Sequence, residues 1–484
     1  MGLPAFAGTE FARNYFPDIY FLANFSPLKS MKPHAPSAQT DELFRSRLDE
    51  QLNMRHPLVR LAALMNWDEI ERSFSVHFPS GRGRPALSPR LVAGLLYLQH
   101  VSDASDEAVV NTWLENPYWQ FFCGEQYLQT ELPMDPSSLT RWRKRIGEEG
   151  VETLLAVTIE AARAAGLIKR SSMDTVIVDT TVMPKAIAHP TDSKLLERSR
   201  QHLVKLAKDH GIALRQNYNR QAPRMAVQVG RYAHAKQFKR MRKALKALRV
   251  RVGRVHREVA RNMSTLPEQV QAKAKDLLAR TDRILTQKTK DKNKNKLYAL
   301  HAPQVECISK GKARTPYEFG VKVSLATTLK EGLVVGCRSM PGNPYDGHTL
   351  DETLEQVGIL CGTDKKPHTA IVDKGYKGAK VEGVRILMSG QKRGITQRLK
   401  AMIKRRSAIE PTIGHMKMDG RLGRNPLKGA LGDAIHAVMC GAGHNLRLIL
   451  AALRLYCARM GWNMQAVIAQ LLALRTVEHP AFGR

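Results

Sequence analysis

The chain is long, strongly basic and moderately apolar. Its 484 residues include 76 Lys and Arg against 44 Asp and Glu, a formal net charge of +32, and 43% of them are hydrophobic. This length suits roughly two to four domains, and the charge indicates a polyanionic partner, most commonly nucleic acid, with an anionic membrane surface as the alternative. No apolar run approaches the roughly 18 residues of a membrane-spanning helix, and the first residues lack the basic start and apolar core of a signal peptide.

The cysteine and histidine positions argue against several cofactor classes. The six cysteines are scattered without a CxxC pair or a Cys/His zinc spacing, which predicts free thiols in a reducing cytosol. His415, His436 and His444 are interpreted as ordinary helix-face residues. No Walker-type phosphate loop occurs, so the sequence predicts no nucleotide cofactor.

The N-terminal third reads as a tail followed by helices. Residues 1–40 show no hydrophobic period and are interpreted as a tail, in which Met31 offers a second start codon. Helical spacing of apolar residues runs from 41 to 166, with Ser88 and Pro89 as one helix start, because serine caps a helix and proline fits its first turn. The pattern predicts an all-helical N-terminal module.

The last short helix of this module, SSLTRWRKRIG over residues 137–147, is basic. Short helices joined by tight turns, with a basic one last, indicate a DNA-binding module of the helix-turn-helix type. Arg141, Arg143 and Lys144 are then its predicted DNA contacts. The alternative is a plain helical bundle with a solvated basic face, and these residues alone do not decide between the two.

Short β-branched runs then predict a sheet. Residues 176–178 and 369–372 read as buried strands, and each is followed directly by an aspartate, Asp179 and Asp373. Apolar helices are predicted at the C-terminus, near 433–455 and 464–475. The other predicted strands lie at 318–326, 332–337 and 384–388.

A long basic insertion, residues 194–299, separates the first strand from the others. Between 194 and 296 it holds 29 Lys and Arg against 7 Asp and Glu, a surplus of 22 positive charges. Apolar residues over 238–259 step alternately by three and four, and the spacing returns over 270–284, which is a heptad seam. The simplest structure is an antiparallel helical hairpin, with a helix over 194–210 packed on it. The seam alone would also suit a dimer contact.

Six cations of the first hairpin helix lie off this seam, where they can reach phosphates. A large positive surplus repels itself and is tolerated best beside a polyanion. The sequence therefore predicts that the basic insertion grips DNA. The predicted contacts are Arg242, Lys243, Lys246, Arg249, Arg254 and Arg257.

One carboxylate, Glu410, lies in the cation-rich stretch 404–417. Arg406 lies four residues before it and Lys417 seven after, offsets that put the three on one face of a helix. Alone, this stretch would suit a surface ion-pair cluster. Together with the two strand-end aspartates, Glu410 offers the hard oxygen ligands that Mg²⁺ prefers.

The order of the elements supports this combination. With the basic insertion left out, the chain reads strand, strand, strand, helix, strand, strand, helix, which is the layout of a ribonuclease-H-like α/β layer. Such a layer holds paired divalent ions roughly 3.5–4 Å apart for phosphodiester chemistry. Asp346 is a rival for the second ligand, but Asp373 is preferred because a strand end is held rigidly, whereas Asp346 is predicted to lie in a loop.

Arg406, Glu410 and Lys417 match R-x3-E-x6-K, most of the Y-x2-R-x3-E-x6-K signature of the DDE transposases of bacterial insertion sequences. The chain resembles the insertion-sequence-five group in particular, from about residue 41 onward. Further blocks that resemble this group are residues 83–98, 177–181, 301–323, 341–350, 372–378 and 420–450.

The resemblance implies an enzyme that binds the inverted ends of its own element in double-stranded DNA, cuts the 3′ strands and joins them to target DNA. It implies a homodimer, with the three carboxylates as catalytic ligands of two Mg²⁺ or Mn²⁺ ions and with Arg406 and Lys417 on phosphate. The signature tyrosine falls at Ile403, which has no hydroxyl. The implied domains are a tail (1–40), a helical module (41–166), a catalytic domain (167–193 with 300–430), the basic insertion (194–299) and C-terminal helices (431–484).

Overall fold

The structure, a computed structural model, describes residues 45–77, 86–288, 296–309, 316–363, 365–391 and 394–475. The predicted tail over residues 1–40 lies outside these ranges. None of the helices in this part of the chain is long and apolar enough to cross a membrane.

The N-terminal part is helical, as predicted. The helix expected after Ser88 begins at Pro89, and the basic helix expected to end at Gly147 bends there, with φ of 64°, and continues. The helices are α1 (Leu48–Gln51), α2 (Pro57–Leu64), α3 (Trp67–Ser75), α4 (Pro89–Val101), α5 (Asp106–Glu115), α6 (Pro117–Phe122) and α7 (Ser137–Ala164).

The described strands form one mixed sheet. β1 lies at its centre, antiparallel to β3 and parallel to β5, while β6 extends the sheet beyond β5 and both β2 and β4 pair with β3. Most of β1 is buried, as expected for a central strand whose two faces are covered. The strands are β1 (Thr175–Pro184), β2 (Glu306–Ser309), β3 (Tyr317–Thr328), β4 (Val334–Met340), β5 (Thr369–Val372) and β6 (Arg385–Met388).

Helices on the sheet complete one large core. Asn445 of α15 exchanges hydrogen bonds of 2.8 Å with both backbone groups of Val334 in β4, and its amide also donates to Thr158 of α7. A single apolar cluster therefore joins the N-terminal helices, the sheet and α15. The helices are α12 (Asp346–Leu360), α13 (Gln397–Lys404), α14 (Ile409–Met418) and α15 (Gly429–Arg475).

The basic insertion forms a bundle between β1 and β2. The predicted hairpin corresponds to α10 (Phe238–Arg261) and α11 (Glu268–Thr286), and the predicted shorter helix to α8 (Asp192–Asp209). A further helix, α9 (Gln221–His234), was not predicted from the sequence. Its Pro223 lies in the first turn, where proline costs no helical hydrogen bond.

The heptad seam of the basic insertion is largely buried. Leu248, Val252, Val255 and Val259 of α10 are all 0% exposed, whereas Phe238 at the helix start is 54% exposed. The four buried side chains belong to two apolar clusters that are separate from the large core. The seam is therefore filled by helices of the same chain, and the bundle has cores of its own.

Candidate active site

Asp179 lies in the middle of β1, and the expectation that it ends the first strand is wrong. β1 continues to Pro184 because β3 pairs with it along that whole length, with Asp179 opposite Leu325. The side chain of Asp179 is 15% exposed. A carboxylate in a central strand is held rigidly, which suits a ligand whose position must not vary.

Asp373 follows β5 directly, as predicted, and its carboxylate accepts the backbone N–H of Gly375 at 2.7 Å. β5 runs parallel to β1 as its neighbour, so both aspartates lie on the same part of the sheet. Glu410 lies in the first turn of α14, next to Pro411, which is tolerated there because the first turn needs no donor.

One guanidinium contacts all three predicted carboxylates. Arg406 Nη2 lies 2.8 Å from Asp179 Oδ2 and 3.9 Å from Asp373 Oδ2, and Arg406 Nη1 lies 3.4 Å from Glu410 Oε1. Arg406 is on a short 3-10 turn between α13 and α14, with a side chain 18% exposed. The structure thus brings Asp179 and Asp373, which are far apart in the sequence, to the Arg406 and Glu410 pair.

The pKa shifts of two residues at this site reflect burial and the negative charge of the surrounding carboxylates. Burial raises the pKa of Asp179, the positive charge of Arg406 lowers it, and the charge of Asp373 raises it further. Burial also raises the pKa of Tyr376, and the charges of Asp179, Asp346 and Asp373 act in the same direction. The hydroxyl of Tyr376 is therefore within the electrostatic influence of all three aspartates.

Asp346 is a fourth carboxylate at this site. It lies in the first turn of α12, not in the predicted loop, and its Oδ1 accepts from Lys322 Nζ at 2.8 Å and Thr180 Oγ1 at 2.9 Å. Its proximity to Asp373 is clear at Gly375, where an added Cβ would meet an oxygen of each. The sequence motif alone gave no sign that Lys322 neutralises this acid.

Lys417 forms an ion pair with an acid outside the predicted set. Its Nζ lies 3.8 Å from Glu318 Oε2, on β3, whereas Arg406 faces the three acids. The expected single face of Arg406, Glu410 and Lys417 is therefore divided between two sets of partners, because the 3-10 turn that carries Arg406 interrupts the helix. Ile403, at the position of the signature tyrosine, packs against the large core.

The predicted cations of the N-terminal module divide into two groups. Arg141 and Lys144 are exposed. Arg143 is buried and donates to Asp106 at 2.6 and 2.9 Å and to Gln99 at 2.8 Å, so its prediction as a DNA contact is corrected to a structural ion pair. Its charge could not be distinguished from those of its neighbours by spacing alone.

The cations of the basic insertion are mostly exposed. Among the six predicted contacts Arg249 is the exception, half-buried with its guanidinium 3.1 Å from the backbone oxygen of Gln287 and 3.9 Å from Asp192. Arg254 and Arg257 line a cavity of about 310 Å³ together with two arginines that were not predicted, Arg215 and Arg261. The exposed members of the predicted set are Arg242, Lys243, Lys246, Arg254 and Arg257.

Comparisons with known proteins find two transposase regions in the chain. A family model described as a transposase domain (DUF772) matches residues 46–145, and one described as a transposase DDE domain matches residues 284–446. An uncharacterised protein of Rhizobium meliloti, ORF8 in the nfe locus, is 53% identical over 208 residues, which are 43% of this chain and 100% of that protein. No solved structure matches the chain.

The two matched regions define the class of protein: an enzyme that acts on DNA as a transposase. The chain belongs to the DDE transposases of insertion sequences. The DDE match begins after most of the basic insertion and omits Asp179, which the fold nevertheless places beside Asp373.

Proposed function

We propose that this transposase binds the inverted terminal repeats of an insertion sequence of the insertion-sequence-five group, cuts the 3′ strands by metal-dependent hydrolysis and joins them to target DNA. The observation that carries the proposal is the convergence of Asp179, Asp373 and Glu410 on the guanidinium of Arg406. The strand order and directions support a ribonuclease-H-like catalytic layer, with a central strand antiparallel to one neighbour and parallel to the other.

The donor set fits divalent metal ions. Three carboxylates surround one cationic group, and carboxylate oxygens are the ligands that Mg²⁺ and Mn²⁺ prefer. Among the residues that the structure describes, these carboxylates do not all lie within 4.8 Å of one another. Paired ions roughly 3.5–4 Å apart, when bound, would activate the attacking oxygen and stabilise the leaving one.

Arg406 then has two successive roles, one before and one after metal binding. Without metal it offsets the charge of the buried Asp179, and with metal present it is free to turn toward a DNA phosphate. Its Nε is buried and has no hydrogen-bond partner among the described residues, so one donor is already uncommitted. A guanidinium binds phosphate through several parallel donors, which would orient the strand for attack.

DNA would reach the site along exposed cations. Arg141 and Lys144 of α7 belong to the N-terminal helices, and the exposed arginines of the basic insertion, including Arg254 and Arg257, lie on a separate bundle. Phosphate contacts of this kind position the duplex without reading its sequence. Two ends must be held together during transposition, so a homodimer acting at the nucleoid is part of the proposal.

The proposal is tested with labelled duplexes that carry the terminal sequences flanking the gene, incubated with the purified chain, Mg²⁺ or Mn²⁺ and a target plasmid. We expect nicks at the 3′ ends and covalent joining to the plasmid, both lost with Asp179→Asn. Cutting without joined product would indicate a ribonuclease-H-like nuclease. Binding without metal-dependent cutting would indicate a basic DNA-binding protein.

A further inference from the structure

Two histidines and a cysteine form a buried cluster away from the carboxylates, where α4 contacts α15. His100 lies on α4, and His436 and Cys440 lie one turn apart on α15. The three residues are 2%, 1% and 0% exposed. Each offers one ligand atom within 4.8 Å of the other two, and no other His, Cys, Asp and Glu group in the described ranges does so.

Hydrogen bonds to the backbone fix the tautomer of both rings. His100 Nδ1 lies 2.9 Å from the Leu96 carbonyl, and His436 Nε2 lies 3.0 Å from the Arg421 carbonyl. A carbonyl oxygen only accepts, so these nitrogens carry the protons and the opposite nitrogens carry lone pairs. Metal-binding histidines are commonly oriented by such a second hydrogen bond.

The free nitrogen of His100 lacks a partner. His100 Nε2 is buried and makes no hydrogen bond within the described part of the molecule, and no bond from the Cys440 thiol reaches it. This buried lone pair is therefore uncommitted and remains available to a metal ion.

We infer that His100, His436 and Cys440 bind a thiophilic metal ion, Zn²⁺ or Cu⁺, that ties α4 to α15. Two imidazole nitrogens and a thiolate sulfur suit these ions and not Mg²⁺. On binding, the thiol S–H bond breaks, the sulfur bonds the ion and the proton passes to solvent, with no change of oxidation state.

Such an ion would link the two regions matched by the family models. His100 lies in residues 46–145, and the other two ligands lie in residues 284–446. The charges of Arg421 and Arg143 act on both histidines and oppose a cation. The negative charge of the thiolate offsets one of these two charges, and neither histidine supplies such a charge, so Cys440 is the decisive ligand.

The test uses the full-length chain, freed of metal by chelation and kept in excess Mg²⁺ so that the carboxylates are occupied. Co²⁺, a spectroscopic substitute for Zn²⁺, is titrated into wild type, Cys440→Ala and the control Cys123→Ala, which removes another buried thiol. We expect a thiolate-to-Co²⁺ charge-transfer band that saturates at one equivalent in wild type and control and is absent in Cys440→Ala. No band in wild type, or an unchanged band in Cys440→Ala, overturns the inference.

A second set of measurements covers the case in which Cys440→Ala does not fold. Zn²⁺, and Cu⁺ without oxygen, are titrated against a chromophoric chelator with wild type and His436→Asn. We expect one tightly bound ion per wild-type chain, a higher unfolding temperature with metal, and affinity weakened by more than about tenfold in His436→Asn. Equal affinities of the two proteins for both ions would overturn the inference.

Discussion

At the scale of single residues, the candidate site is balanced by one cation. Arg406 lies between carboxylates whose mutual repulsion would otherwise raise the cost of burying Asp179. The same guanidinium competes with any metal ion for those oxygens. Arg406 therefore has opposite effects on metal binding and on DNA processing, and the two can be separated by substitution.

Arg406→Ala should leave Mn²⁺ affinity unchanged or tighter and should reduce cutting. Loss of one phosphate contact should also flatten the slope of log DNA affinity against log salt by roughly one unit. Isothermal titration with Mn²⁺ and end binding at several salt concentrations measure the two effects. Arg405→Ala is the matched control, because its guanidinium is held by the backbone oxygens of Leu329 and Lys330. Normal cutting with an unchanged slope in Arg406→Ala would return this cluster to the surface ion-pair interpretation.

The carboxylates can be ranked by isosteric substitution. Asp373→Asn and Glu410→Gln should each reduce cutting below detection and leave end binding nearly intact, because the amide keeps the shape but loses the charge that holds metal. Asp346→Asn should retain more cutting, since Lys322 already neutralises that acid. Cleavage assays and gel shifts on the same duplex make the comparison. If Asp373→Asn cuts and Asp346→Asn does not, the assignment of the second ligand is wrong.

Substitution of two neighbouring arginines of α7, Arg143 and Arg141, should affect different properties: stability for the first and DNA affinity for the second. Arg143→Ala leaves Asp106 and Gln99 without their buried partner and should cost about 3–5 kcal/mol of unfolding free energy. Arg141→Ala, at an exposed position, should change stability by less than about 0.5 kcal/mol and should lower DNA affinity. Urea unfolding and end binding separate the two, and equal stability of the variants would contradict the buried ion pair.

At the scale of elements, much of the fold was predictable because patterns of burial are local. The strands around Asp179 and Asp373 and the helices of the heptad seam were found from apolar spacing alone. The length of β1 could not be predicted in this way, because its second half is fixed by pairing with β3, which lies beyond the basic insertion in the sequence. The predicted pair of C-terminal helices is one helix, α15, since a glycine inside a helix costs only about 1 kcal/mol.

The bend in α7 depends on one glycine. Gly147 has φ of 64° and ψ of −160°, a conformation essentially restricted to glycine. Gly147→Ala should therefore lower the unfolding free energy by about 1–3 kcal/mol, although the added Cβ meets no atom. Gly230→Ala in α9 also meets no atom but has no positive φ, and it should stabilise by about 0.5–1 kcal/mol. Chemical unfolding of both variants measures the difference, and stabilisation by Gly147→Ala would contradict the bend.

At the scale of the whole molecule, the chain combines a main body built on the sheet with a more strongly basic helical insertion. The N-terminal helices, the sheet and α15 share one core, whereas the basic insertion has cores of its own and holds most of the net positive charge. The three carboxylates could be proposed from sequence because Asp179 and Asp373 adjoin short apolar strand runs and Glu410 lies in a local R-x3-E motif. The His100, His436 and Cys440 cluster could not, since His100 is brought to α15 only by the packing of the helices.

Replacing residues 194–296 with a short Gly/Ser linker tests what the basic insertion does. Leu297 and Leu300, which pack against it, are changed to Ser so that these two apolar side chains are not left exposed. Because the large core does not include the insertion helices, the variant should fold and bind Mn²⁺ like wild type. DNA affinity should fall steeply and lose much of its salt dependence, because counterion release scales with the number of phosphates contacted.

A matched variant keeps the bundle and removes two of its charges. Arg254→Gln with Arg257→Gln preserves the buried seam, since both side chains are exposed, and should flatten the salt slope by roughly two units if both contact phosphate. Sedimentation velocity on all three proteins reports the oligomeric state. Unchanged DNA affinity in the linker variant, together with a change from dimer to monomer, would show that the basic insertion serves dimerisation, because the bundle would then be needed for subunit contact and not for holding DNA.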